Sequence, residues 1–264
     1  DASLVKVAPF VRTGIDLLRE EGFSRVSGAR VGLLTHQTGR ATDGTTTIEL
    51  LHESPVVELM ALFSPEHGLG GDVDGAVSSS RDVVTGLPIY SLYGDTQRPT
   101  PQMLQDLDTL VIDLQDVGAR FYTYATTMAY MLEAASSAGF RVVVLDRPNP
   151  AGRPIEGTRL LPGYESFVGA GPLPMRHGLT LGEAARWFVA HFDLDVEVEV
   201  VAMEGYDPTT GPGYGWPLFE RPWVNPSPNA ASLNMTRCFP GTVLLEGTTL
   251  SEGRGTTVPL EVLG

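Results

Sequence analysis

A single cysteine, Cys238, stands in 264 residues. One thiol can neither close an intrachain disulfide nor build a cysteine-rich metal centre, and it leaves the redox compartment undecided. Long apolar runs are missing as well. Stretches such as Val142 to Leu145 fall far short of the roughly 20 residues that cross a bilayer, so membrane insertion is not expected. No basic-then-apolar leader opens the chain, which begins at Asp1. Positive charge is scarce: 18 Lys and Arg face 32 Asp and Glu, a net −14. Such a chain repels a phosphate backbone, and no basic run offsets this, so a nucleic-acid partner is excluded.

Several cofactor signatures are also absent. A dinucleotide fingerprint needs G-x-G-x-x-G directly after the first strand, but the chain there reads Thr35-His36-Gln37-Thr38-Gly39-Arg40, with one glycine. There is no G-x-x-x-x-G-K-[ST] for a nucleoside triphosphate, and no G-x-S-x-G nucleophile elbow. The five histidines, His36, His52, His67, His177 and His191, include no H-x-x-x-H pair. Asp72 and Asp74 only faintly suggest a calcium loop, without its terminal glutamate. We expect neither metal nor cofactor.

What is present is a regular alternation. Residues 30–35, 56–63, 109–113 and 141–145 read as short buried strands. Helical spacing covers 11–21, 45–52, 123–137 and 180–191, and 196–202 alternates as a further strand with Glu197 and Glu199 on a solvent face. This predicts an α/β fold, a Rossmann-like, doubly wound, mostly parallel sheet covered on both faces. At about 150 residues per domain the length allows one domain or two. We place the sheet domain at residues 1–200, and in 201–264 loops and the beginning of a smaller α+β domain. The closing stretch, Thr256 to Gly264, is apolar and strand-like with no polar tail, which reads as a domain cut short.

In open parallel sheets ligands lie beyond the carboxyl ends of the strands. Here three such ends discharge Ser64-Pro65-Glu66-His67-Gly68, then Asp113-Leu114-Gln115-Asp116-Val117-Gly118-Ala119-Arg120-Phe121-Tyr122-Thr123-Tyr124, then Asp146-Arg147-Pro148-Asn149-Pro150. A glutamate held behind a proline at a buried strand end can be kept protonated as a general acid; equally, Glu66 could cap a helix or pair with Arg120. Carboxylates, amides and aromatic rings together suit a sugar. The alternative has Asp113 and Asp116 satisfying loop amides and Tyr122 and Tyr124 packing as core. Further along, Asn225-Pro226-Ser227-Pro228-Asn229 is a stiff polar loop able to present two amides. Glu246, Glu252 and Arg254 follow in a glycine-rich segment where Arg254 is open to a carboxylate or phosphate, or else pairs with Glu252.

These segments, with His177-Gly178-Leu179-Thr180 and Glu246-Gly247-Thr248-Thr249-Leu250-Ser251-Glu252-Gly253-Arg254-Gly255-Thr256, resemble the DUF1343 family. This is the NamZ family of exo-β-N-acetylmuramidases, glycoside hydrolase family 171. The resembling motifs span residues 31–259 in the family's order, and members usually continue well past the last of them. The resemblance implies release of N-acetylmuramic acid from the non-reducing end of peptidoglycan fragments, in a cleft between a Rossmann-like domain and a smaller C-terminal one. It implies that Glu66 is the catalytic glutamate, with Asp116, Glu246 and Glu252 as candidates for a second group. The substrate's own N-acetyl group is a further possibility. Substrate-binding candidates at motif positions are His67, Gln115, Arg120, Tyr122, Tyr124, Arg147, Asn149, His177, Asn225, Asn229 and Arg254. Muramic acid carries a lactyl carboxylate, for which Arg120, Arg147 and Arg254 are the motif-loop cations. The substrate also implies an extracytoplasmic location. The competing reading is a cell-wall sugar-binding protein of the same fold.

Overall fold

The computed structural model describes residues 10–209, 216–217 and 221–264. Its first half runs α1 (Gly14–Glu20), β1 (Arg30–Thr35), α2 (Thr47–His52), β2 (Glu58–Ser64), β3 (Ser80–Arg81), β4 (Pro88–Ser91), α3 (Pro101–Leu104) and β5 (Thr109–Asp113). Then come α4 (Thr123–Ala138), β6 (Arg141–Leu145), β7 (Glu156–Arg159), β8 (Pro174–Arg176), α5 (Leu181–Phe192), β9 (Val198–Val201) and α6 (Leu233–Thr242). Seven strands form one sheet in the order β3-β4-β2-β1-β5-β6-β9. All neighbours are parallel except the edge pair β3–β4. From β1 the chain winds outward to β2 and β4, then crosses back to β5, β6 and β9. The expected α/β class and parallel sheet are what the structure has.

The period-two alternation of the central strands builds both cores. Val31, Leu33, Val111, Val143 and Leu145 point to one face and pack on Ile15 and Leu18 of α1 and Leu51 of α2. Leu34, Leu110, Ile112, Val142 and Val144 point to the other, against α4 and α5 through Met128, Leu132, Ala185 and Phe188. Strands buried on both faces cannot alternate polar with apolar, which is why their sequences are continuous apolar runs. The helices are capped as their sequences suggest. The hydroxyls of Thr46 and Thr180 accept from Glu49 N and Glu183 N, closing capping boxes on α2 and α5.

Four stretches depart from the sequence reading. Strands β3 and β4 lie in a segment rich in Ser and Gly, where β4 pairs with β2 at only three positions. Helix α6 contains Pro240, which masks its signature, although Ser232 caps it and Met235 and Phe239 bury one face. Glu197 is exposed as expected, but Glu199 lies 2.7 Å from an Arg25 nitrogen and 3.7 Å from Arg141. The apolar stretch 256–264 folds as turns and not a strand, and Ser251 and Gly264 exchange backbone hydrogen bonds of 2.7 and 3.0 Å.

Helix α1 docks on the carboxyl end of β6 through bare backbone. Gly14 N donates to Asp146 O at 2.9 Å, and a Cβ at Gly14 would stand 2.5 Å from Asp146 N and 2.6 Å from Leu145 Cα. Backbone cannot swing aside as a flexible side chain can. Gly14→Ala is therefore expected to destabilise the fold by about 1–3 kcal/mol. Chemical denaturation checks this, and a midpoint equal to wild type would show that α1 is not seated this closely.

Candidate active site

Strand β2 ends at Ser64, and buried Pro65 delivers Glu66 half-exposed into a cleft of about 500 Å³. The turn beyond is tight. Gly68 N bonds Pro65 O at 3.1 Å, and His67 holds a left-handed backbone, φ 72°, a conformation costing about 1–3 kcal/mol in a residue with a Cβ. Nδ1 of His67 lies 2.8 Å from Val73 O and donates to that carbonyl. The carboxylate of Glu66 meets the first turn of α4, where Thr123 Oγ1 donates to Oε2 at 2.6 Å. Tyr93, just beyond β4, also lines the cleft. Its hydroxyl is held above the usual phenol range, chiefly by a hydrogen bond to Glu66.

Of the residues singled out in the sequence, the cleft brings together Glu66, His67, Tyr122, Asn229, Glu246 and Arg254. Aromatic wall comes from Phe121, Tyr122, Phe167 and Phe239. Burial raises the Tyr122 hydroxyl above its usual range, so that ring is a neutral, largely apolar surface. Arg254 is the cleft's one cation among the described residues. It pairs with Glu246 through Nη2 and with Glu252 through Nε at 2.7 Å, so its pairing with Glu252 is one of two. Glu252 itself sits behind Arg254, outside the lining.

Most of the other named residues form a buried scaffold outside the cleft lining. Arg147 and Asp113 make a two-pronged ion pair of 2.5 and 2.9 Å, with side chains 3% and 0% exposed. Gln115 Nε2 donates to Asp116 O and Pro148 O at 2.8 and 3.0 Å, tying the β5 loop to the β6 loop. Asn149 Nδ2 donates to Gly152 O and Leu179 O, while its Oδ1 accepts from Ala151 N. Asn149 leaves no room beside Gly118, where a Cβ would stand 2.3 Å from Asn149 Oδ1 at a backbone φ of 79°. Asp116 Oδ2 accepts from Gly118 N at 2.6 Å and faces His177 Nε2 at 3.3 Å. Leu179 N donates to His177 Nδ1, which fixes the proton on Nε2, towards Asp116. Arg120 donates from Nη1 to Thr158 O and Leu173 O, while its Nε is buried without a hydrogen-bond partner among the described residues. Tyr124 is fully buried, its hydroxyl 2.6 Å from Pro226 O and 3.2 Å from Glu66 O. Asn225 is exposed outside the lining, and its carbonyl accepts from Gln37 Nε2 at 2.6 Å.

Sequence reasoning missed Thr123, Tyr93, Gln97 and Ser227 as cleft residues. Thr123 lies between Tyr122 and Tyr124, whose rings carry the stronger sequence signal. Tyr93 follows a strand too short to register. Among the described residues no group of three or more His, Cys, Asp or Glu side chains could hold a metal ion, and no helix is long and apolar enough to cross a membrane.

Comparison with known proteins decides the family. The family model for the N-terminal part of exo-β-N-acetylmuramidase NamZ matches residues 31–234, and that for its C-terminal part matches 237–264. The chain belongs to the NamZ family. The peptidoglycan β-N-acetylmuramidase NamZ of Bacillus subtilis strain 168 is 46% identical over 265 residues, covering 97% of this chain and 62% of that protein. Two crystal structures of DUF1343 family proteins from Bacteroides fragilis NCTC 9343 share the fold. One has TM-score 0.88 at 39% identity over 96% of this chain and 65% of that one. The other has TM-score 0.82 at 33% identity over 97% and 67%. The chain thus spans somewhat less than two thirds of the NamZ relative from B. subtilis.

One titration is built into this NamZ scaffold. His36, at the end of β1, is 3% exposed and meets Tyr124 edge-on at 4.8 Å. Burial first, then the charges of Arg147 and His67, hold its pKa well below the usual imidazole range. The unfolded chain therefore binds the extra proton below about pH 6.5. Stability is full above that pH and falls as pH drops, by up to about 1.4 kcal/mol per pH unit from this group. His36→Gln should flatten that part of the profile in denaturation series between pH 7.5 and 5. Parallel wild-type and variant profiles would refute the assignment.

Proposed function

We propose that the chain is the larger part of an exo-acting glycoside hydrolase that removes N-acetylmuramic acid from the non-reducing end of peptidoglycan fragments. Membership of the NamZ family and the name of the 46% identical relative support the substrate class. One observation carries the chemistry: Glu66 stands on a rigid strand end in a roomy, aromatic-walled cleft, oriented by Thr123. In this reading Glu66 protonates the leaving glycosidic oxygen and later takes a proton back from water. Of the three candidates for a second group, Asp116 and Glu252 lie outside the cleft lining and Glu246 within it. We therefore assign that role to Glu246, or to the substrate's N-acetyl group. The reading requires no cofactor, metal or nucleic acid. It places the protein's work outside the cytoplasmic membrane, where the polymer is.

Glu66→Gln keeps the side chain's shape and hydrogen bonding but cannot cycle a proton. It should lower turnover of a chromogenic β-N-acetylmuramide by about 10²–10⁴-fold while leaving ligand affinity nearly unchanged. The assay belongs on the full-length protein. Undiminished turnover would remove Glu66 from the mechanism, and no turnover by wild type would favour the sugar-binding alternative.

Selection of muramic acid over glucosamine rests, in the same reading, on Arg254. Arg147 is paired with Asp113, and Arg120, held by backbone carbonyls through Nη1, lies outside the cleft lining, whereas Arg254 lines the cleft with Nη1 beyond its two carboxylate contacts. A hydrogen bond to a charged group is worth about 1.5–3 kcal/mol. Arg254→Ala should thus lower the preference for the muramide over the glucosaminide, as a ratio of kcat/KM, by about 10- to 100-fold. An unchanged ratio would exclude it.

A further inference from the structure

A second cavity opens at the crevice between β1 and β5, where the winding of the sheet reverses. It is separate from the Glu66 cleft, smaller at about 90 Å³, and lined by Thr38, Arg40, Gln115, Arg147, Trp216 and Arg221 among others. Carboxyl-end crevices at such reversal points are where open α/β sheets place ligands. The lining is unusual for a chain of net charge −14. It includes three arginines and, among the described residues, no aspartate or glutamate.

Behind the wall two of the three guanidiniums are ion-paired, and the third, Arg40, feels Glu49 only at longer range. Arg147 is matched by Asp113, and Arg221 by Asp16 at 3.0 Å. Arg40 has no carboxylate within ion-pair distance among the described residues. Its Nε and Nη1 donate to the carbonyls of Gln37 and Gly44 at 2.8 and 3.0 Å, and Nη2 makes no further hydrogen bond. Arg221 Nε is buried with no hydrogen-bond partner. Burial, and next the charge of Arg147, hold the Arg221 guanidinium below its usual range. An anion seated in the cavity would offset the like charges that Arg40, Arg147 and Arg221 bring to its wall, because guanidinium donors in a low-dielectric pocket bind oxyanions strongly.

We propose that this crevice is a binding site for a small oxyanion of the phosphate class, either the free ion or a terminal phosphate of a larger molecule. The volume admits one tetrahedral anion and little more. Val224 lines this cavity, while Ser227 and Asn229 line the Glu66 cleft, so a single short loop forms a wall of both. The site is independent of the hydrolase reading, because neither Glu66 nor Arg254 takes part in it.

The test is titration of the full-length protein with sodium phosphate against sodium chloride at matched ionic strength, followed by tryptophan fluorescence and melting temperature. Trp216 stands in the cavity wall and packs on Trp223 at 5.1 Å, so occupancy should alter emission. The expected result is a saturable response to phosphate, absent with chloride, with a rise in Tm. Arg40→Gln, on a side chain only half-buried, should weaken phosphate at least tenfold, and Arg254→Ala should leave it unchanged. Glucose 6-phosphate, as a parallel arm, separates the two sources: tighter binding than phosphate identifies a larger ligand, weaker binding the free ion. The proposal fails if phosphate gives no saturable response in wild type, if Arg40→Gln binds as wild type does, or if Arg254→Ala abolishes binding.

Discussion

The carboxyl edge of the sheet hangs on the buried Arg147–Asp113 pair. Two ions withdrawn from water each carry a desolvation penalty of several kcal/mol, recovered only with near-ideal geometry and further hydrogen bonds. Here the guanidinium meets both carboxylate oxygens, Thr47 Oγ1 donates to the same carboxylate, and Arg147 Nη2 reaches Arg40 O at 3.0 Å. The pair therefore joins the ends of β5 and β6 to α2 and to the loop after β1. Losing one partner would strand a buried charge, which typically costs about 3–5 kcal/mol. Such a penalty specifies one arrangement of these loops more than it adds stability.

That fixed edge explains how a single carboxylate can be aimed. The loop from Asp113 to Tyr122 is pinned by Gln115, by Asp116 on the Gly118 amide, and by Asn149 under Gly118. It delivers α4 at a set height, and the first residue of α4, Thr123, takes hold of Glu66. Tyr124, one residue on, joins Glu66's backbone to the loop at Pro226. The orientation of Glu66 is thus set by three loops locked to one another, and the strained backbone of His67 is carried by the same bonds. A site on rigid elements with supported side chains is what precise proton transfer needs.

Much of the fold was legible in the sequence because its signals are local. Strands at 30–35, 109–113 and 141–145 are unbroken apolar runs, and their ends in the structure agree with the reading. Strand β4, next to the edge, and helix α6 were not legible, the first being short and the second carrying Pro240. At the site the motif positions were visible but their division of labour was not. Arg147, Gln115 and Asn149 have the side-chain chemistry of a sugar site, yet each makes its hydrogen bonds or ion pair to protein, whereas Asp116 Oδ1 and His177 Nε2 are buried without a hydrogen-bond partner among the described residues. A polar motif and a polar scaffold look alike in one dimension, since both need donors and acceptors at fixed spacing. Only partners distant in the chain distinguish them, as with Asp113 and Arg147, 34 positions apart.

The same distinction governs electrostatics. The cleft holds Glu66, Asp74 and Glu246 against the one guanidinium of Arg254, on a chain of net charge −14. On the function proposed above, an anionic sugar would meet no attractive field on approach, and beyond about 8 Å salt would screen the repulsion in any case. Its binding must rest on short-range terms: stacking of pyranose C–H faces on Tyr122, Phe121 or Phe239, and hydrogen bonds made after contact. Under such conditions a local cation adds little to encounter and much to discrimination, because only a ligand whose carboxylate reaches Arg254 can compete with Glu246 and Glu252 for it. The crevice between β1 and β5 has the opposite character, with guanidiniums in its wall and carboxylates only behind. Two cavities whose linings are of opposite charge thus share one loop at this edge of the sheet, and neither is legible in the net charge.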